Sequence, residues 1–202
     1  NDLWPVSSWS SIEYSGRWKQ LHYHAKRFFA PQYLVFSEHS GVLTLHGLND
    51  SRESVEIKGR VCWLNWQGDV LEEWPITTTL FPNHNHMVWQ KPQNIILGKE
   101  GFLYVEGVIK NSGESLSNIW FGTEEFKSLP METAQIEMQQ EGSFITLSTD
   151  KPAFYVHLEY DGVGRFSDSS LTLLPGQSVT VEYLGDDEPA LETSLRVYHL
   201  NT

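Results

Sequence analysis

The sequence has 202 residues, enough for two domains of about 100 residues each. Its hydrophobic content of 40% is typical of folded domains rather than disordered chains. A formal net charge of −12 argues against a nucleic-acid partner, because phosphate binding needs an excess of Lys and Arg. The single cysteine, Cys62, excludes an intrachain disulfide and is expected to be a small buried hydrophobe. No apolar run approaches the ~20 residues of a membrane span, so no membrane partner is expected.

The first thirty residues differ from the rest of the chain. They carry a net charge of +2, which leaves −14 for the remainder. The apolar, Ser-rich run from Leu3 to Trp9 lacks helical spacing and predicts a strand. From Gly16 to Ala30 the spacing predicts a basic helix that Pro31 ends. Its apolar stripe would comprise Trp18, Leu21, Ala25 and Phe28 or Phe29. The opening Asn1-Asp2-Leu3-Trp4-Pro5 is typical of the middle of a protein, so we expect a chain cut from a longer one.

After Pro31 the pattern becomes that of strands. Hairpins are predicted around Ser40-Gly41 and around Gln67-Gly68-Asp69. Turn signals recur roughly every 8–12 residues, which is typical of a β-sandwich. A second β unit of six strands is predicted after Pro130. The expected fold is therefore mainly β, with domains at 1–31, 32–128 and 129–202.

At this level of detail the residues resemble a known family. The run NDLWPVSSWSSIEYSGRWKQLHYHAKRFFAP resembles the end of the catalytic barrel in β-mannosidases of glycoside hydrolase family 2, where it forms the eighth strand, its loop and the eighth helix. Phe166-Ser167-Asp168 followed by Leu173-Leu174-Pro175-Gly176 resembles the signature of that family's terminal Ig-like domain. Two departures are Glu13, where Asp is expected, and Ser169-Ser170, where an asparagine-aromatic pair often stands. The resemblance implies two Ig-like β-sandwich domains preceded by a strand-helix remnant of a (β/α)8 barrel.

The resemblance also implies a function. The family hydrolyses terminal β-D-mannose from β-mannosides with retention, using two glutamates at the ends of barrel strands four and seven. Those strands precede this sequence, so we expect no catalytic residue here and no activity from this chain alone. The expected role is a non-catalytic accessory region without cofactor or metal. Its expected partners are the upstream catalytic barrel and, in the intact enzyme, the β-mannoside. The resemblance favours a periplasmic or extracellular enzyme and leaves a homodimer contact open.

Trp4 is the one substrate-binding candidate. The resemblance places it at the C-terminal end of the eighth strand, the face on which barrel enzymes build their active sites. There a Trp forms an apolar floor under the bound sugar. Without the resemblance, Trp4 is most simply interpreted as a core aromatic. Asn1 and Asp2 are weaker candidates for the same site.

Other patterns keep alternatives open. Five tryptophans fall in the first β domain, and exposed, aligned rings would instead make it a carbohydrate-binding module: Trp63, Trp66, Trp74, Trp89 and Trp120. A third alternative is an adhesion or interaction module that uses sandwich edges. His84 and His86 share a face if extended, but without an evident third metal ligand they are interpreted as part of a polar loop. His22 and His24 are expected on different helix faces.

Overall fold

The protein is described here by a computed structural model that covers residues 2–4, 6, 8–92, 99–123, 125–186 and 194–201. The chain forms two compact units, one from residues 29–131 and one from residues 1–28 together with 132–202. Strands dominate both units, which confirms the mainly β fold. Within the described ranges, no helix has the length and apolarity needed to cross a lipid bilayer.

The unit of residues 29–131 is a sandwich of two antiparallel sheets. Its strands are β1 (Gln32–His39), β2 (Val42–Asn49), β3 (Val55–Leu64), β4 (Val70–Leu80), β5 (His84–Pro92), β6 (Phe102–Ile109) and β7 (Ser115–Trp120). One sheet has the order β1-β2-β5 and the other β4-β3-β6-β7. A short 3₁₀ turn follows at Phe126–Ser128. We call this unit the first sandwich.

Alternating burial along the strands builds the core of the first sandwich. Leu34 and Leu45 from one sheet pack with Ile57 and Val105 from the other, and each is almost fully buried. The predicted turn of the β1–β2 hairpin is confirmed, since Ser40 and Gly41 have φ values of 50° and 74°. Two consecutive left-handed residues match the right-handed twist of the flanking strands.

The second unit combines the N-terminal residues with the final sandwich, residues 132–202. Its elements are α1 (Gln20–Phe28), β8 (Ile136–Glu141), β9 (Phe144–Thr149), β10 (Ala153–Tyr160), β11 (Gly164–Phe166), β12 (Leu171–Leu173), β13 (Ser178–Gly185) and β14 (Leu195–Tyr198). The sheets have the orders β12-β10-β14 and β11-β13-β9-β8, all antiparallel. The sequence prediction missed β11, because this strand begins at Gly164, within a Gly-rich run that indicates a turn.

Helix α1 shares the core of the final sandwich. Tyr23, at 1% exposure, belongs to the same buried cluster as Ile145, Val156 and Val181. The N-terminal residues therefore pack with the final sandwich instead of forming a separate layer. A single nine-residue helix could not bury its own apolar face, so this docking stabilises it.

Two predictions for the N-terminal residues are wrong in detail. The described residues between Leu3 and Trp9 form no strand, because no neighbouring strand pairs with them, and the one bridge nearby joins Ile12 to Trp18. The helix begins at Gln20 instead of Gly16. Gly16 has a φ of 90° and lies in a tight turn, which lets the chain reverse direction before the helix.

Candidate functional site

The N-terminal segment, defined as residues 2–19, holds apolar side chains out to solvent. Trp4 is 71% exposed and Trp9 is fully exposed, and Leu3 and Val6 are exposed as well. The six other tryptophans of the chain are buried or half-buried. Trp4 is therefore not a core aromatic in this structure, and its indole is free to face another molecule.

Asp2 is buried and holds this segment together through contacts with three other residues of it. It is 5% exposed, although it lies two residues before the exposed Trp4. The Ser8 hydroxyl donates to its Oδ1, the Lys19 Nζ lies 3.1 Å from its Oδ2, and its N–H donates to the Ile12 carbonyl at 2.9 Å. The Ser8 hydrogen bond, assisted by Lys19, lowers the pKa of Asp2 against the opposing effect of burial. Asp2 is thus a buried, fully partnered anion.

Helix α1 presents a polar and aromatic face to the final sandwich. The Tyr23 hydroxyl accepts the Phe166 N–H at 3.0 Å. The Arg27 guanidinium donates to the Asp168 carboxylate at 2.9 Å. Lys26 donates to a backbone carbonyl of the same stretch, that of Ser167. The helix thus contacts residues 166–170, which include the Phe-Ser-Asp signature singled out in the sequence.

The face of α1 that was predicted from the sequence is wrong. Trp18 does pack against the core, but Leu21 is 57% exposed and Phe28 is exposed too. The face that docks instead repeats at Gln20, Tyr23, His24 and Arg27, with the i, i+3, i+4, i+7 spacing of one helix stripe. Sequence analysis missed it because hydrogen-bonding side chains supply most of the contacts.

The serine pair that departs from the family pattern lies inside this interface. Ser169 and Ser170 are buried, and their hydroxyls bond to His157 Nδ1 at 2.9 Å and to His24 Nε2 at 2.7 Å. Gln20 donates to the Ser170 hydroxyl at 3.0 Å. Each small hydroxyl therefore bonds to one nitrogen of a half-buried imidazole, and the pair fits this interface without a large aromatic side chain.

Burial lowers the pKa of both imidazoles. Desolvation is the main cause at His24 and at His157, and the positive charge of Arg27 adds to it at His24. The carboxylates of Asp168 and Glu159 act in the opposite direction and do not reverse the shift. Both rings are therefore neutral at neutral pH, which suits their contacts with serine hydroxyls.

Comparison with known proteins identifies relatives of this chain. The Ig_mannosidase family model, described as an Ig-fold domain, matches residues 128–202. The β-mannosidase of Capra hircus is 29% identical over 187 residues, which is 86% of this chain and 21% of that protein. The β-mannosidase of Mus musculus is 52% identical over 50 residues, 25% of this chain and 6% of that protein. The chain is related to the β-mannosidases.

Solved structures share the fold. The β-D-mannosidase of Dictyoglomus thermophilum matches with a TM-score of 0.81 at 20% identity, covering 99% of this chain and 25% of that one. The exo-chitosanase of Amycolatopsis orientalis matches with a TM-score of 0.70 at 14% identity, covering 98% of this chain and 29% of that one. The chain spans about a fifth of the length of the curated β-mannosidases it matches. The resemblance inferred from the sequence is confirmed.

The five tryptophans of the first sandwich serve its packing. Trp66 is buried and stacks on Phe121 with ring centroids 6.2 Å apart. Trp74 and Trp89 contact each other at 5.2 Å, and the Lys91 ammonium covers the Trp74 ring at 4.1 Å. The remaining two, Trp63 and Trp120, pack against the same core. Among the described residues, this domain has no exposed indole surface of the kind that a carbohydrate-binding module would present.

A pocket of about 250 Å³ lies between the N-terminal segment and the final sandwich, with Trp18, Tyr23 and Arg165 in its lining. Its two carboxylates both face Arg17, with Glu13 at 2.8 Å and Glu159 at 3.4 Å. The positive charge of Arg17 therefore neutralises part of the negative charge of these two carboxylates. The pocket therefore does not present a free pair of carboxylates for acid–base chemistry.

The other histidines singled out in the sequence, and the cysteine, lie in structural positions. His84 and His86 lie in β5 and not in the predicted loop, and the His86 Nε2 accepts the Phe81 N–H at 2.9 Å. His22 bonds to Ser11, well apart from the partner of His24, as expected from different helix faces. Across the described part of the chain, no group of three or more His, Cys, Asp or Glu could hold a metal ion. Cys62 is buried, and burial raises its pKa to about 11.

Proposed function

We propose that this chain is a non-catalytic accessory region of a family 2 β-mannosidase that hydrolyses terminal β-D-mannose with retention. The observation that carries the proposal is the similarity to the β-mannosidase of Capra hircus over 86% of the chain. The two sandwiches would support the catalytic barrel of the same polypeptide. The final sandwich would do so through α1, to which it is joined by buried and half-buried hydrogen bonds.

The catalytic chemistry would come from the barrel. A retaining glycosidase uses two carboxyl groups about 5–5.5 Å apart, one as nucleophile and one as acid and base. The family pattern assigns both to glutamates outside this sequence. The one deeply buried carboxylate of the described residues, Asp2, is fully engaged by Ser8 and Lys19. We therefore expect no turnover of a chromogenic β-mannoside by the 202-residue chain, and measurable turnover would refute the accessory role.

Trp4 would be the contribution of this chain to the sugar site. Its exposed indole offers a flat apolar surface on which the C–H face of a mannose ring could pack. Burying roughly 80 Å² of apolar surface in such a contact stabilises the complex by about 2 kcal/mol. That free energy corresponds to about a 30-fold change in binding.

The same exposed segment would contact the barrel. Leu3, Val6 and Trp9 are exposed together with Trp4, and large apolar surfaces of this kind usually mark contacts with other structural elements. In the isolated chain we expect these side chains to promote self-association. Sedimentation velocity at several concentrations measures it, and Trp9→Ser should weaken it.

The decisive experiment is a substitution of Trp4 in the β-mannosidase that contains this chain. Trp4→Ala should lower kcat/KM for a β-mannoside about 30-fold, whereas Trp4→Phe, which keeps a flat ring, should lose much less. Phe29→Ala is a matched control, because that ring is also exposed, at 80%, but lies beyond α1. An unchanged kcat/KM in Trp4→Ala would contradict the proposed sugar contact.

A further inference from the structure

The N-terminal segment is organised around a buried negative charge. Among the described residues, Asp2 is the one carboxylate that falls in the buried class, and the other buried polar side chains are neutral. A buried carboxylate is costly unless every oxygen is partnered. Its partners here are the Ser8 hydroxyl and the Lys19 ammonium, which we name the Asp2 clasp.

The Asp2 clasp closes the loop that carries Trp4. Asp2 and Ser8 are in contact, and Trp4 lies between them in the sequence. Lys19 also approaches the Ser8 carbonyl, with its Nζ at 3.4 Å, so one ammonium spans both ends of the loop. The Val6 N–H donates to the Trp4 carbonyl at 2.8 Å. The loop is therefore fixed at its base while its indole faces outward.

The clasp also connects the loop to the final sandwich. Lys19 immediately precedes α1, and its own N–H donates to the Ser11 carbonyl at 3.0 Å. The next turn of α1 is held by Gln20 on Ser170 and by Tyr23 on Phe166. The start of α1 and these hydrogen bonds thus connect the core of the final sandwich to the base of the Trp4 loop.

We propose that Asp2 is a positioning residue that fixes Trp4 for sugar binding through the clasp with Ser8 and Lys19. The proposal rests on the proposed role of Trp4 in the β-mannosidase. Asp2 acts through Trp4 and does not touch the sugar, because Ser8 occupies its Oδ1 and Lys19 its Oδ2. The final sandwich contributes to the sugar site in the same way, since it holds the helix that follows Lys19.

The first test measures the loop itself in the 202-residue chain. The NMR order parameter of the Trp4 backbone amide should fall from about 0.85 to below about 0.6 in Asp2→Asn and in Lys19→Met. Lys19→Arg, which keeps the charge, should retain most of the order. Asp161→Asn is the matched control, because it makes the same chemical change at the exposed Asp161–Arg196 ion pair of the same unit. An unchanged order parameter in Asp2→Asn and Lys19→Met would overturn the proposal.

The second test is a double-mutant cycle in the β-mannosidase that contains this chain. Asp2→Asn should lower kcat/KM about tenfold, as expected for loss of a charge-assisted contact. In a Trp4→Ala background, Asp2→Asn should lower kcat/KM no further, because Asp2 affects catalysis only by positioning Trp4. Equal losses in both backgrounds would show that Asp2 acts elsewhere and would overturn the proposal.

The two tests separate this inference from the proposed function. If Trp4→Ala leaves kcat/KM unchanged, the sugar contact fails, and with it the positioning role in catalysis, whatever the order parameters show. If Trp4→Ala lowers kcat/KM while Asp2→Asn does not, the sugar contact stands and the positioning role fails. Ser8→Ala provides a milder variant should Asp2→Asn prevent folding, and its expected loss of order at Trp4 is smaller.

Discussion

The docking of α1 makes a quantitative prediction about which of its side chains stabilises the final sandwich. Tyr23 is 1% exposed and belongs to the core, so Tyr23→Ala should cost about 3–5 kcal/mol of unfolding free energy. Tyr23→Phe keeps the ring but leaves the Phe166 N–H without its acceptor, which should cost about 1–3 kcal/mol. Leu21→Ala on the opposite side of the helix should change stability by less than about 0.5 kcal/mol.

Hydrogen exchange is the suitable assay because it reports on each unit separately. Amides of β9 and β13 should exchange more than about a hundredfold faster in Tyr23→Ala, while those of β3 and β6 should keep the rates of the unsubstituted chain. The contrast between Tyr23 and Leu21 also decides between the two helix faces. If Leu21→Ala destabilises the final sandwich as much as Tyr23→Ala does, the apolar stripe predicted from the sequence is the docked face and the structural argument is wrong.

Three further predictions concern buried polar groups. Because the pKa values of His24 and His157 are lowered in the folded chain, the unfolded chain binds more protons than the folded chain below pH 6.5. The final sandwich should therefore be fully stable above that pH and lose stability below it. Urea unfolding at pH 7.5 and pH 5 measures the loss, which should shrink when both histidines are replaced by glutamine. Cys62, with a pKa of about 11, should react slowly with iodoacetamide at pH 8 until urea unfolds the chain, and rapid labelling of the native protein would contradict its burial. Asn201→Ala should lower the free energy of unfolding by about 2–4 kcal/mol, because the buried Asn201 amide bonds to three backbone groups. Urea unfolding measures this loss, and a loss below about 0.5 kcal/mol would contradict that role.

Local signals predicted the β architecture well. The hairpin turns at Ser40-Gly41 and at Gln67-Gly68-Asp69 lie where the sequence placed them, because turn residues and strand alternation act over a few positions. The family resemblance was also visible in the sequence and is confirmed. Strand β11 was not recognised, because it begins at Gly164 within a Gly-rich run that indicates a turn.

The candidate site was harder to predict. The sequence singled out Trp4, and the structure shows its indole exposed, but its role with sugar stays a proposal. Asp2 was a weaker candidate in the sequence, but its contacts were not visible there, because its partners Ser8 and Lys19 are 6 and 17 positions away and no periodicity links them. The docked face of α1 was missed for a related reason, since it relies on hydrogen bonds to Ser170 and Phe166.

The sequence by itself determined that this is a mainly β protein of two sandwiches with a basic helix near its start, because alternation, turn residues and helical spacing are local properties. The tertiary structure decided which face of the helix is buried and which carboxylate is shielded. The buried helix face depends on groups more than a hundred residues apart in the chain, such as Tyr23 and Phe166. The shielding of Asp2 depends on whether its carboxylate finds partners in space, which Ser8 and Lys19 provide.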